Sequence, residues 1–309
     1  MNDSKTFYRL EPIVTERTWG GNRLAEKLNI TTEIDRAGEI IAAAGFKNRN
    51  SPVSGLGIRL SQLFDEQPEL FGVEDDYFPL TVNLIDAVDN LSVQVHPNTG
   101  YAKRNEDCCG SPEAWIVIEC EPESQILVGH NAESNIEFAQ LVQAGSWDKL
   151  FRSIPVKEGD FIFLPPGTVH SIGKGVCIYE VTHASDVVYR LYDYGRNDNN
   201  RPLDTQKALD VIYSPQCIDV TPPEKVAQHE NLIITKYIDE AGLFTVCQLE
   251  VHNNASYTQS DFGVLTVIKG QGTINDFAIE IGQSILIPCG INELRLEGVF
   301  TAMLSTYRP

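Results

Sequence analysis

Most of the chain reads as short stretches of β-branched and aromatic residues separated by turn residues. AWIVIEC (114–120), SQILVGH (124–130), DFIFLPP (160–166) and VCIYEVT (176–182) each have the length and composition of a strand. A second set follows at FTVCQLEV (244–251), FGVLTVIKG (262–270), GTINDFAIEIG (272–282) and QSILIPCG (283–290). Helical periodicity is rarer. IRLSQLFDEQPELFG (58–72) puts Leu60, Leu63, Phe64 and Leu70 on roughly one stripe. NIEFAQLVQAGSWDKLF (135–151) and DTQKALDVIY (204–213) do the same. Between the strand-rich halves, SPQCIDVTPPEK (214–225) mixes prolines with polar residues and reads as a linker.

One stretch alternates differently. In LSVQVHPN (91–98), residues two apart share a face of a strand, so Gln94 and His96 look one way and Val93 and Val95 the other. A polar face carrying Gln and His is either plain surface or half of a metal site.

The halves also share a pattern. KEGDFIFLPPGTVHSIG (157–173) and EIGQSILIPCGINELRL (280–296) each run from a Gly turn through an apolar strand to Pro and a second Gly. Two such units point to a mainly β protein of two cupin-like jelly-roll or β-barrel modules with a few helices. The expected division is a metal-bearing domain over 1–220, with helical insertions, and a smaller cupin-like domain over 221–309. The first unit carries His170 three residues after its Gly, where the second has Ile291 and Asn292. Any metal is therefore expected in the first module only.

Composition narrows the partners. The 309 residues carry a formal net charge of −19, which argues against nucleic acid and anionic membrane surfaces. The seven cysteines include adjacent Cys108 and Cys109 but no CxxC pair, the usage of a reducing compartment. MNDSKTFYRLEPIV, at the start, has no apolar signal segment, and no run approaches the roughly 18 apolar residues of a membrane span. The expectation is a cytoplasmic protein, monomeric or weakly homo-oligomeric.

Four residues then form a candidate ligand set: Gln94, His96, Glu113 in SPEAW and His170 in GTVHSIG. Two imidazoles, a carboxylate and an amide oxygen suit a borderline divalent ion such as zinc. On spacing alone, each is equally well an ordinary hydrogen-bonded or surface residue. His130, His183, His229 and His252 are read in that ordinary way.

Longer stretches carry a resemblance. FPLTVNLIDAVDNLSVQVHP (78–97), SPEAWIVIEC (111–120), PPGTVHSIGKG (165–175), EVTHASDVVYRLYDYGR (180–196) and ERTWGGNRLAEKL (16–28) resemble the type I phosphomannose isomerases, and most nearly their short bacterial branch. The resemblance implies a cupin enzyme with one zinc per chain that interconverts mannose 6-phosphate and fructose 6-phosphate through an enediol. By motif position, the family's zinc ligands fall on Gln94, His96, Glu113 and His170. Other active-site positions of the family fall on Ser92, Glu180, Asp186 and Arg190. Glu180 is the expected base and Arg190 the cation for the enediolate, with Ser92, Asp186 and Lys174 on the phosphosugar. The sequence departs from the family at Asn83 and Ser111, both usually Lys, and GEIIAAAG (38–45) lacks the Trp and His often found there. These departures keep two alternatives open. One is a metal-binding relative that binds sugar or regulates its metabolism without isomerase activity. The other is an isomerase of a different sugar.

Overall fold

The computed structural model describes residues 6–196, 201–240 and 242–308. Its contacts group the chain into two compact units, one of residues 18–21 and 85–221, the other of residues 1–17, 22–84 and 222–309.

The first unit is a sandwich of antiparallel strands. One sheet has the order Phe151–Pro155, Gln125–His130, His170–Ser171, Val93–Val95, Tyr189–Tyr192. Opposite it, Glu113–Cys120 pairs with Phe161–Leu164 on one side and Val176–His183 on the other. Ile126, Val128 and Ile154 from the first sheet meet Trp115, Val117, Ile162 and Ile178 from the second in one core. Alternation along each strand sends these residues inward, as a two-layer β fold requires.

In the second unit, the strand Gly263–Ile274 pairs with Glu293–Arg308 along most of its length, and Leu243–Val251 pairs with the far side of that strand. Leu249, Val267, Ile285 and Leu304 fill its core. The N-terminal strand Tyr8–Leu10 adds antiparallel to Ser284–Leu286, joining the two ends of the sequence in one sheet. No helix among the described residues is long and apolar enough to cross a membrane.

The repeated Gly–strand–Pro pattern folds alike in both places. Gly159 and Gly282 open the two strands at φ 85° and 83°. At Gly282 a Cβ would sit 2.1 Å from the Leu28 carbonyl oxygen, so this turn admits only glycine.

Three segments differ from their sequence pattern. GTINDFAIEIG is a hairpin, because Asn275 and Asp276 adopt φ of 48° and 68° and turn Ile274 against Phe277. The periodic stretch 58–72 begins as strand Ile58–Arg59, forms the helix Leu60–Glu66, and breaks at Pro68 into a 3-10 turn. The proline-rich stretch 214–225 is partly built into the sandwich. Gln216 is buried, accepts from the Val169 amide at 3.1 Å and donates to the Gly167 carbonyl at 2.6 Å.

Candidate metal centre

Gln94 and His170 are direct partners across neighbouring strands, so their side chains share the inner face of the five-stranded sheet. Glu113 opens the strand opposite and is also buried. His96 follows its strand by one residue. Its ring stacks on that of His170, with centroids 5.2 Å apart and planes 13° apart.

Main-chain carbonyls set both imidazoles. Nδ1 of His96 lies 2.7 Å from the Val187 oxygen and Nδ1 of His170 lies 2.9 Å from the Thr168 oxygen. Each Nδ1 therefore carries the hydrogen, and in a neutral ring each Nε2 presents a lone pair. Those lone pairs converge on a carboxylate. His96 Nε2 is 3.0 Å from Glu113 Oε1, and His170 Nε2 is 3.6 Å from Oε2. Buried His96 Nε2 has no hydrogen-bond partner of suitable geometry. Gln94 completes the group, its Nε2 lying 3.3 Å from His170 Nε2.

Lone pairs facing a carboxylate out of water need a cation between them. Burial disfavours a proton on His96, but the Glu113 carboxylate outweighs it, and the pKa of His96 lies above the ordinary imidazole value. Burial pulls His170 down to about 4 against the attraction of Glu113, and the charge of His96 adds to the depression. The cation is thus a proton on His96 or a metal ion. The ligand atoms of His96, Glu113 and His170 all lie within 4.8 Å of one another, and the group can hold a metal ion. Carbonyl-oriented imidazoles are the usual support of such a site.

Two further clusters share these inner faces. Glu180 pairs across strands with Trp115, whose indole Nε1 donates to Glu180 Oε2 at 3.1 Å. Its charge also reaches His96. Arg190 pairs with Gln94 and is buried. Its guanidinium makes an ion pair with Asp193, and its Nε donates to Ser92 Oγ at 3.1 Å. Ser92 Oγ in turn donates to Asp193 Oδ1 at 2.9 Å, and Arg196 Nη2 reaches the same oxygen at 2.7 Å.

The remaining expected site residues lie elsewhere. Asp186 is exposed in the loop before Tyr189, next to the Val187 carbonyl that orients His96. Lys174 is exposed in a turn at the Cys120 end of the Glu113–Cys120 strand, where Glu121 donates its amide to Gly175. That end is on the order of 23 Å along the strand from Glu113. The structure does not bring Lys174 to the cluster, because its turn closes the opposite edge of the sandwich.

The two departures from the family pattern are buried polar residues with protein partners. Ser111 donates to the His183 carbonyl at 3.3 Å. In the other unit, Asn83 accepts from Arg49 Nη2 at 3.0 Å, and Arg49 also pairs with Glu39. A guanidinium therefore rests on the residue that stands in the usual lysine position.

Sequence reasoning missed Asp193, Trp115 and the two carbonyls. The signal for Asp193 was the spacing of RLYDYGR, which sets Arg190, Asp193 and Arg196 three apart. Nothing local marks Thr168 or Val187, which act through main-chain oxygens.

Comparison with known proteins places this geometry. Residues 233–307 match the family model described as mannose-6-phosphate isomerase, cupin domain. The chain is 37% identical to mannose-6-phosphate isomerase ManA of Bacillus subtilis, covering 99% of each sequence. It is 34% identical to a mannose-6-phosphate isomerase of Streptococcus mutans, covering 94% of each. Among solved structures, that of the mannose 6-phosphate isomerase from Bacillus subtilis matches with a TM-score of 0.91 at 30% identity, over 97% of this chain and 99% of the other. A phosphomannose isomerase from Salmonella typhimurium shares the fold, with a TM-score of 0.80 at 15% identity over 98% of this chain and 100% of the other.

Proposed function

This chain belongs to the mannose-6-phosphate isomerase family, and from that membership we propose that it interconverts mannose 6-phosphate and fructose 6-phosphate by an enediol proton transfer. The ion we assign to the cluster is one zinc, held by Gln94, His96, Glu113 and His170. Bound there, it would supply Lewis-acid polarisation of the sugar oxygens.

The chain's own residues do the rest. Glu180, oriented by the indole of Trp115, takes the proton from C2 of the aldose and returns it to C1 of the enediol. Over the whole exchange one proton also passes from O2 to O1, so the ketose forms with no net change in charge. Arg190, held by Asp193 and Ser92 on the face it shares with Gln94, offsets the negative charge that develops on the enediolate oxygens. The sandwich walls keep these groups out of bulk water, where each charge interaction would be weaker.

The convergence of two carbonyl-oriented Nε2 lone pairs on Glu113 carries this reading. A coupled assay of metal-replete protein on mannose 6-phosphate tests it. Turnover that disappears in His170→Ala is expected. An inert wild-type protein that still binds the sugar would overturn the reading in favour of a diverged, non-catalytic relative.

A further inference from the structure

The five-stranded sheet of the sandwich has a second face, and it is not plain. Strand register decides which residues lie there. Val128, His170 and Gln94 are successive cross-strand partners on the inner face. Their alternates Ser171, Leu127 and Ser153, together with Tyr192, which pairs with Val93, must face outward. A cavity of about 390 Å³ lies on this outer side, lined in part by Gln125, Ser153, Tyr192 and Trp147. That volume is within the range of small-molecule sites, about 300–1,000 Å³.

Its aromatic residues are arranged as a platform. The Trp147 ring lies 4.6 Å from Tyr192 at 23° and 5.5 Å from Phe151 at 15°. Rings on opposite faces of an indole would stand much farther apart than either separation. Phe151 and Tyr192 are only 6.1 Å apart, so both pack on one face of Trp147. The other indole face makes no ring contact among the described residues. The cavity is also lined by Gln125, Ser153 and Asp148, and neither their side chains nor the indole N–H bonds to another described residue. Asp148 is the one charged side chain in the lining.

We infer that this cavity is a binding site for a neutral pyranoside, separate from the metal centre. A flat, electron-rich ring face suits the C–H face of a pyranose. Gln125, Ser153 and Asp148 in the lining supply both donors and acceptors for the sugar's hydroxyls. A carboxylate in the lining, on a chain of net charge −19, disfavours a phosphorylated sugar. The site thus differs in ligand class from the metal centre, as well as in the face of the sheet it occupies.

Tryptophan fluorescence provides the test. Of the three tryptophans, Trp19 and Trp115 are buried at 6% and 1% exposure, and Trp147 is half-buried, so a ligand on the outer face acts on Trp147. Full-length protein is titrated with methyl α-D-mannopyranoside and, separately, with methyl β-D-glucopyranoside, with calorimetry in parallel. A saturable one-to-one response to at least one of them is expected. It should persist in His170→Ala and disappear in Trp147→Ala. Because Trp147→Ala removes ring packing, Ser153→Trp serves as a second variant that fills the cavity from an exposed position. It should abolish pyranoside binding and leave turnover of mannose 6-phosphate unchanged. The inference is overturned if neither glycoside binds, or if binding survives Ser153→Trp and is lost in His170→Ala.

Discussion

His96 and His170 lie ring on ring, 13° from parallel, and each is turned by a main-chain carbonyl so that its Nε2 points at Glu113. The arrangement costs free energy unless a cation sits among the three groups, because a buried polar group without a partner is destabilising. This predicts that metal and activity are lost together. Wild-type protein should retain about one zinc per chain after dialysis and His170→Ala close to none, by elemental analysis. Circular dichroism should show an intact fold, since the apolar core of the sandwich is built without the ion. Stripping the wild type with a chelator should abolish turnover, and added zinc should restore it.

Trp115 holds Glu180 through one hydrogen bond to a carboxylate, a kind typically worth about 1.5–3 kcal/mol. Trp115→Phe keeps most of the ring and removes the donor. Steady-state kinetics should show kcat reduced by roughly tenfold or more, with KM changed far less, because the bond orients the proposed base and does not touch the sugar. An unchanged kcat would show that Trp115 does not orient the proposed base.

Arg190 is buried and pairs directly with Gln94, one of the proposed ligands. Arg190→Ala should lower kcat/KM by at least about 10²-fold, the scale for one donor to a developing oxyanion. Arg190→Lys should not restore the rate, because an ammonium cannot bridge Asp193 and Ser92 as the forked guanidinium does. Wild-type kinetics in Arg190→Ala would show that the motif places the wrong residue in the site.

Asp193 gives the protein an acid-sensitive joint. Burial raises its pKa, but the Ser92 hydrogen bond and the charges of Arg190 and Arg196 outweigh it, leaving the carboxyl below the ordinary aspartate value. A carboxyl depressed in the folded state contributes stability that is fully present above the unfolded pKa and is lost as pH falls through the lower folded one. The Tm difference between wild type and Asp193→Asn should therefore be largest near neutrality. It should shrink towards zero as the pH drops below about 4.

Asn83→Lys restores the usual family residue, yet it should destabilise this chain. Asn83 is 1% exposed and its amide oxygen receives Arg49, so a lysine there brings an ammonium against a guanidinium in a closed space. Overpacking alone costs about 1–3 kcal/mol. Thermal melts should show a lower Tm, and Arg49→Ala in the same background should recover part of it.

What the sequence determined by itself was local and periodic. Alternation in LSVQVHP put Gln94 and His96 on one face, and in the fold both side chains meet His170, although His96 lies one residue past the strand Val93–Val95. The paired Gly–strand–Pro units were visible because each Gly must adopt a backbone conformation that other residues avoid. What only the tertiary structure decided was non-local. The pairing of Tyr8–Leu10 with Ser284–Leu286 joins residues more than 270 apart, and no local pattern encodes such a partner. The carbonyls of Val187 and Thr168 orient the two imidazoles through main-chain oxygens that every residue type possesses, so composition is silent about them. Lys174 shows the reverse case: a fitting side chain four residues from His170, carried away by a turn. Sequence specifies which chemistry is present and which face of its own strand it occupies. Register and sheet order, set by packing between distant segments, decide which of those faces meet.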